Sequence, residues 1–168
     1  MKPLSIPLLV LIWLIGTGLG AQVLDVMAAR GRSVPVTGWL TTVVELALIG
    51  VLLVHGLPLR RYMAESRDRD EHPTVAPRRH QIDLPTAYRT VLIARACAYT
   101  GAIVGGLFSG QALFLVITGT GDLWGAVVPS TAAALAGTAL GVLGVIVERW
   151  GTLPPQDGEG GERAHVGS

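Results

Sequence analysis

What this chain lacks narrows its chemistry first. Cys97 is the single cysteine, which excludes a disulfide within the chain and any CxxC redox or zinc pair. There is no GxxxxGK[ST] phosphate loop, no nucleophile elbow and no pair of carboxylates within one apolar run. His72 and His80, beside Glu71 and Asp83, match no zinc spacing, so neither a metal nor a cofactor is expected. Asparagine is absent and Lys2 is the sole lysine among 13 basic residues, a bias that reflects a GC-rich genome rather than chemistry. Charged residues are only 15% of the 168, against 50% hydrophobic, and mean hydropathy is +0.52. That balance excludes an ordinary soluble domain and points to a bilayer.

The apolar residues gather into four runs: Leu4 to Leu24, Pro35 to Leu59 (broken only by Glu45 and His55), Ala96 to Gly121, and Leu123 to Val147. At about 1.5 Å rise per residue, each covers the roughly 30 Å hydrocarbon core. The expected fold is all-α, a polytopic membrane protein with four transmembrane helices at about 4–24, 36–59, 90–118 and 123–148. These form one domain, 1–151, with a loop at 60–84 and a tail at 152–168. The first run is too long for the apolar region of a secretory signal, and three more spans follow it. The tail is rich in Gly, Pro and charge, a composition of disorder. The loop mixes charges of both signs with Pro73, Pro77 and Pro85, which favours an extended or mobile segment. From Leu84 the pattern becomes helical. Leu84, Tyr88, Val91 and Leu92 share one face, Thr86, Arg89 and Thr90 lie away from it, and Asp83 is a candidate N-cap.

Basic residues near span ends stay on the cytoplasmic side. One side holds Lys2, then Arg60, Arg61, Arg67, Arg69, Arg78, Arg79, Arg89 and Arg95, then Arg149 and Arg163; the other holds only Arg30 and Arg32. Both termini are therefore read as cytoplasmic. The aromatic residues agree, with Trp39 and Trp124 at outer ends and Tyr62, Tyr88 and Trp150 at inner ends. Trp13 falls mid-span and reads as a packing residue.

Lipid supplies no hydrophobic drive to join helices, so small residues that allow close approach mark the contacts. The third span carries two rows, Ala94, Ala98, Ala102, Gly106, Gly110 and Cys97, Gly101, Gly105, Ser109. The fourth carries Ala133, Gly137, Gly141, and the first Gly16 and Gly20. The pattern predicts tight helix contact, within one chain or between two.

Glu45 is the one acidic residue deep inside a span, where a lone carboxylate demands a partner or a proton. Thr41 and Thr42 share its face, and Gln111 and Gln22 come from spans that could bring them to a similar depth. A polar cluster of Glu45, Gln111, Gln22, Thr41 and Thr42 is therefore the candidate site, either a substrate, ion or proton site or a hydrogen-bonded clamp between helices. Arg95 and His55, near inner span ends, read as snorkelling to the headgroups. Arg60, Arg61, Arg89 and Arg95 form the candidate collar for anionic lipid. Glu65, Asp68, Asp70 and Glu71 offset the basic loop, so a nucleic-acid partner is not expected.

The opening MKP, the segment IDLPTAYRTVLIARACAYTGAIVGGLFSGQAL and the close VERWGTLPP resemble the small bacterial membrane proteins of domain of unknown function 3180. The resemblance implies four spans, a basic cytoplasmic loop, a third span ending in Gly110, Gln111, Ala112 and Leu113, and a Glu148–Arg149 pair closing the fourth. A basic pair and a proline often follow that Glu-Arg; here Trp150, Gly151 and Thr152 intervene before Leu153 and Pro154. Glu45 matches no pattern of that family. Its function is not established, so the resemblance implies architecture alone. The expected role is a non-enzymatic accessory or scaffold of the bacterial cytoplasmic membrane, whose partners are lipids and another membrane protein or a second copy. The alternative is a small transporter or channel subunit built on Glu45 and Gln111.

The topology is checked by cysteine accessibility on a Cys97→Ser background. A cysteine at Arg32 should react with an impermeant thiol reagent in intact cells, whereas one at Arg61 should react only after the membrane is opened. The reverse pattern would invert the chain.

Overall fold

The computed structural model describes residues 4–33, 35, 37–71, 84–119 and 122–151. It is all-helical among them, with helices α1 (Ile6–Ala29), α2 (Trp39–Glu71), α3 (Leu84–Thr118) and α4 (Val128–Trp150). Among the described residues, four stretches are long and apolar enough to cross a membrane: Ile6–Ala29, Trp39–Arg61, Tyr88–Thr118 and Trp124–Trp150. The chain is thus consistent with a multi-pass membrane protein.

Local chemistry sets the helix ends. A proline in its first turn starts α1 where no intrahelical N–H is needed. At its other end Gly31 takes φ +65°, and the Gly31 and Arg32 N–H groups each donate at 3.0 Å, to the carbonyls of Ala28 and Met27. This is the Schellman arrangement, and it satisfies carbonyls that would otherwise be orphaned. Before α4, the Asp122 carboxylate accepts the Gly125 N–H at 2.9 Å. A π-helical turn, Leu123–Val127, then leads into the helix, with Val127 N–H donating back to the Asp122 carbonyl at 3.3 Å.

The first part of the expected loop, 60–71, is helical rather than extended. Helix α2 passes through Pro58 and continues to Glu71. The stretch Arg60 to Glu71 contains neither Gly nor Pro, so nothing in it breaks a helix that already has a nucleus. The remainder of the expected loop, 72–83, lies outside the described residues, as do His72, His80, the Asp83 cap, Lys2 and the tail 152–168.

The helices stand in the order α1, α3, α4, α2, with α3 and α4 as the central pair; α2 leans mainly on α4, and the described backbones of α1 and α2 do not approach one another. The two small-residue rows of α3 have different partners. A Cβ on Gly101 would fall 2.6 Å from the Gly137 carbonyl oxygen, and one on Gly105 would fall 2.7 Å from the Thr138 nitrogen, both in α4. Cβ atoms on Gly106 and Gly110 would run into the carbonyl oxygens of Trp13 and Thr17 in α1. The ladders therefore join helices of one chain, backbone against backbone.

Much of what lies inside is small, with Leu52, Leu140 and Val147 the larger exceptions. Ala94, Ala98, Ala102, Ala133, Ala134 and Ala136 are buried, while Leu40, Val54, Ile117, Trp124 and Leu135 are largely exposed to the surroundings. At the start of α3, Thr90 is buried while Tyr88 and Leu92 are exposed to the surroundings. In lipid an apolar side chain gains nothing by turning inward, and a polar one gains a partner.

Gly105→Leu should disrupt the α3–α4 contact and Gly106→Leu the α3–α1 contact. Each is expected to lower stability in detergent by about 1–3 kcal/mol or more, since the obstacle is backbone. Gly18→Leu, with nothing within 4 Å of its Cβ position, is the control and should be silent. Thermal unfolding of the three variants in one detergent decides it.

Candidate functional site

Helix α2 presents Thr42, Glu45, Ile49, Leu52, Gly56 and Leu59 as one stripe at three- to four-residue spacing, all buried except the half-buried Ile49. Glu45 is the charged-type residue in that stripe, only 4% exposed. Its carboxylate is aimed at the bare backbone of α4, where a Cβ on Gly137 would lie 3.0 Å from Oε1. Gly137 in turn faces Gly105 of α3, so the carboxylate sits where three helices meet. Gly137 stands midway between Trp124 and Trp150, the ends of its span, which places Glu45 at mid-membrane. Both Glu45 oxygens and the Thr42 hydroxyl are shut from solvent and have no hydrogen-bond partner.

Gln111 does not supply that partner. Its amide oxygen accepts the Thr37 hydroxyl at 2.7 Å, and its Nε2 donates to the Pro35 carbonyl at 2.9 Å. It thus pins the segment before α2 to α3. Gln111 lies six residues beyond Gly105 along α3, about 9 Å further toward its Thr118 end. The expected equal depth assumed that each span ends at the same level. The segment around Thr37 instead dips inward to meet Gln111, and Glu45 lies correspondingly deeper. Gln22 is exposed on α1, Thr41 is half-buried, and Thr42 is buried beside Glu45. Of the expected cluster, only Thr42 and Glu45 share a buried position without partners.

The second polar assembly lies at the opposite ends of the spans, where α1 begins and α4 ends, and sequence reasoning missed it. Glu148, 2% exposed, receives Arg95 Nε at 2.8 Å and an Arg95 terminal nitrogen at 2.7 Å, both on Oε1. The Leu4 N–H donates to the same oxygen at 3.2 Å. One carboxylate therefore ties the start of α1, the body of α3 and the end of α4 together, and it places the first and last spans' ends on the same side. Removing one partner of a buried pair typically costs about 3–5 kcal/mol, because it strands the other charge. The readable signal was a Glu and an Arg at matching depth on two spans joined by small-residue ladders. Arg95 is thus an internal tie rather than a free member of a lipid collar. Arg60 lies over the Trp150 ring at 5.2 Å from its centre, a cation–π contact, while Arg61 and Arg89 are exposed. The His55 ring donates from Nδ1 to the Val51 carbonyl at 2.9 Å. Among the described residues no three His, Cys, Asp or Glu side chains gather in a way that would hold a metal.

Because Glu45 bonds to nothing, Glu45→Leu should leave the melting temperature in detergent unchanged or raise it, with about 1–3 kcal/mol at stake. Gln111→Leu should lower stability modestly, by less than about 1.7 kcal/mol, because it strands Thr37. The double variant is expected to be additive within about 0.5 kcal/mol. A larger coupling would mean that the two residues share a bond.

No curated protein and no solved structure matches the chain. A family model does match, over residues 9–155, which takes in α3 and α4 whole, nearly all of α1, and both Glu45 and the Arg95–Glu148 tie. The chain belongs to the family described as "Protein of unknown function (DUF3180)".

Proposed function

We propose that the protein is a non-enzymatic accessory or scaffold component of a bacterial cytoplasmic membrane, with both termini in the cytoplasm. The observation that supports this reading is the closure around Glu45. A transport site must meet water in at least one state, and here the carboxylate oxygens are shut from solvent and lie against glycine backbone. The central α3–α4 pair is a rigid block held by backbone contact. Helices α1 and α2 are its edges, and their outer faces carry Leu11, Ile15 and Leu19 on one side and Leu40, Val43 and Val54 on the other, all exposed. These faces meet lipid, and they are where another membrane protein or a second copy would pack.

Photo-crosslinking amino acids at Leu11 and Val43 should yield a discrete protein adduct from at least one edge in living cells. The purified protein in liposomes should add no proton or cation flux to that of empty vesicles. Flux that disappears in Glu45→Gln would overturn the scaffold reading.

One observation favours the other reading. A buried carboxyl that bonds to nothing is a liability for stability, and such residues inside membranes mark ion and proton pathways. On that account the protein is a small transporter or channel subunit. Glu45 and Thr42 would receive the proton or cation, and Gln111, engaged with Thr37 and Pro35, would stand outside the site.

A further inference from the structure

Between α1 and α4 a groove of about 390 Å³ opens over α3. Val10 and Trp13 form one wall, Val142 and Val145 the other, and Ala98 and Ala102 the floor. It runs from Thr138 to Arg149 along α4, about 16 Å at 1.5 Å per residue. That is one leaflet, half of the roughly 30 Å hydrocarbon core. Its deep end is bridged by the Trp13 indole N–H, which donates to the Thr138 hydroxyl at 3.2 Å. Its shallow end carries Arg149, the one charged residue of the lining.

The width selects the occupant. A second helix needs about 10 Å between its neighbours. Here side chains of α1 and α4 touch across the groove at Trp13 and Thr138, and the Leu4 N–H reaches Glu148 near the other end. A single acyl chain is thin enough and the right length. The volume falls within the range of small-molecule pockets, which are mostly apolar with a few placed polar groups. The polar group here is a guanidinium at headgroup depth, which forms charge-assisted hydrogen bonds to phosphate. None of Arg60, Arg61, Arg89 or Arg95 lines the groove.

We propose that this groove binds one tail of an anionic glycerophospholipid, from the leaflet on the side where α1 begins and α4 ends, with its phosphate at Arg149. The site is independent of whether the protein is a scaffold or a transporter.

Native mass spectrometry of the detergent-solubilised protein tests it, using phosphatidylglycerol and phosphatidylcholine with identical tails. The wild type should retain one phosphatidylglycerol with about fivefold preference, the worth of one arginine at an anionic surface. Val142→Phe and Val10→Phe, each at a half-exposed groove position, should lose that lipid. Leu46→Phe, on the exposed face of α2, should keep it. Arg149→Gln should bind both lipids alike. Equal retention of the two lipids by the wild type overturns the proposal. So does full retention by both groove-filling variants, or a dimer that those variants abolish, which would put a second copy in the groove.

Discussion

Direct backbone contact along α3 is the constraint on which the rest of this structure depends. In lipid, bringing two helices together releases no ordered water from apolar surface, so the attraction must come from dispersion and weak polar contacts at short range. Those forces fade within an ångström or so of added separation. A single row of side chains larger than alanine would push the axes apart and remove most of the attraction. Helix α3 carries two rows of small residues, about a quarter-turn apart, and so holds two neighbours at once: α4 through Gly101 and Gly105, α1 through Gly106 and Gly110. The sequence α1, α3, α4 follows from that placement, and α2 is added against α4 at Gly137 and Val147.

The row explains the unusual addresses of the polar groups. A glycine at 137 leaves a notch in α4 opposite Gly105, and the Glu45 side chain lies against it. On the other face of α4 the Thr138 hydroxyl donates to the Ala134 carbonyl and accepts from Trp13, so one turn of helix presents a bare notch to α2 and a hydrogen-bonding rung to α1. Because α1 meets α3 and only bridges to α4 by side chains, an apolar groove is left between them. Close approach on one face of α3 and separation on the next are two results of the same residue pattern.

The polar assemblies differ in how well they are satisfied. Glu148 gathers Arg95 and a backbone N–H on one oxygen at the membrane edge, where Arg95, 28% exposed, still reaches water or headgroups. Gln111 both accepts through its amide oxygen and donates one of its two N–H groups, holding one segment from both ends of the amide. Glu45 uses neither oxygen. Two satisfied ties and one open carboxyl, in a chain this poor in charge, separate what holds the helices from what the interior leaves available.

The sequence by itself determined the solvent, the number of long apolar helices, the small-residue faces and the polar residues inside them. Each of these is a local property, legible from length, composition and a period of 3.6. It also determined family membership, shown by the match over residues 9–155. Four matters were decided only by tertiary structure. The rows of α3 turned out to join helices within one chain. Gln111 pairs with the Thr37 segment and not with Glu45, because relative depth depends on how far each span is displaced along its neighbour. Arg95 turns inward to Glu148, a choice between protein and headgroup that depends on the distance between two helices. Helix α2 runs on to Glu71, because a helix already nucleated in the membrane extends through any following stretch that lacks a breaker. Single-span patterns carry no information about offsets between spans. Those offsets are set where backbones touch, and they decide which polar groups find partners.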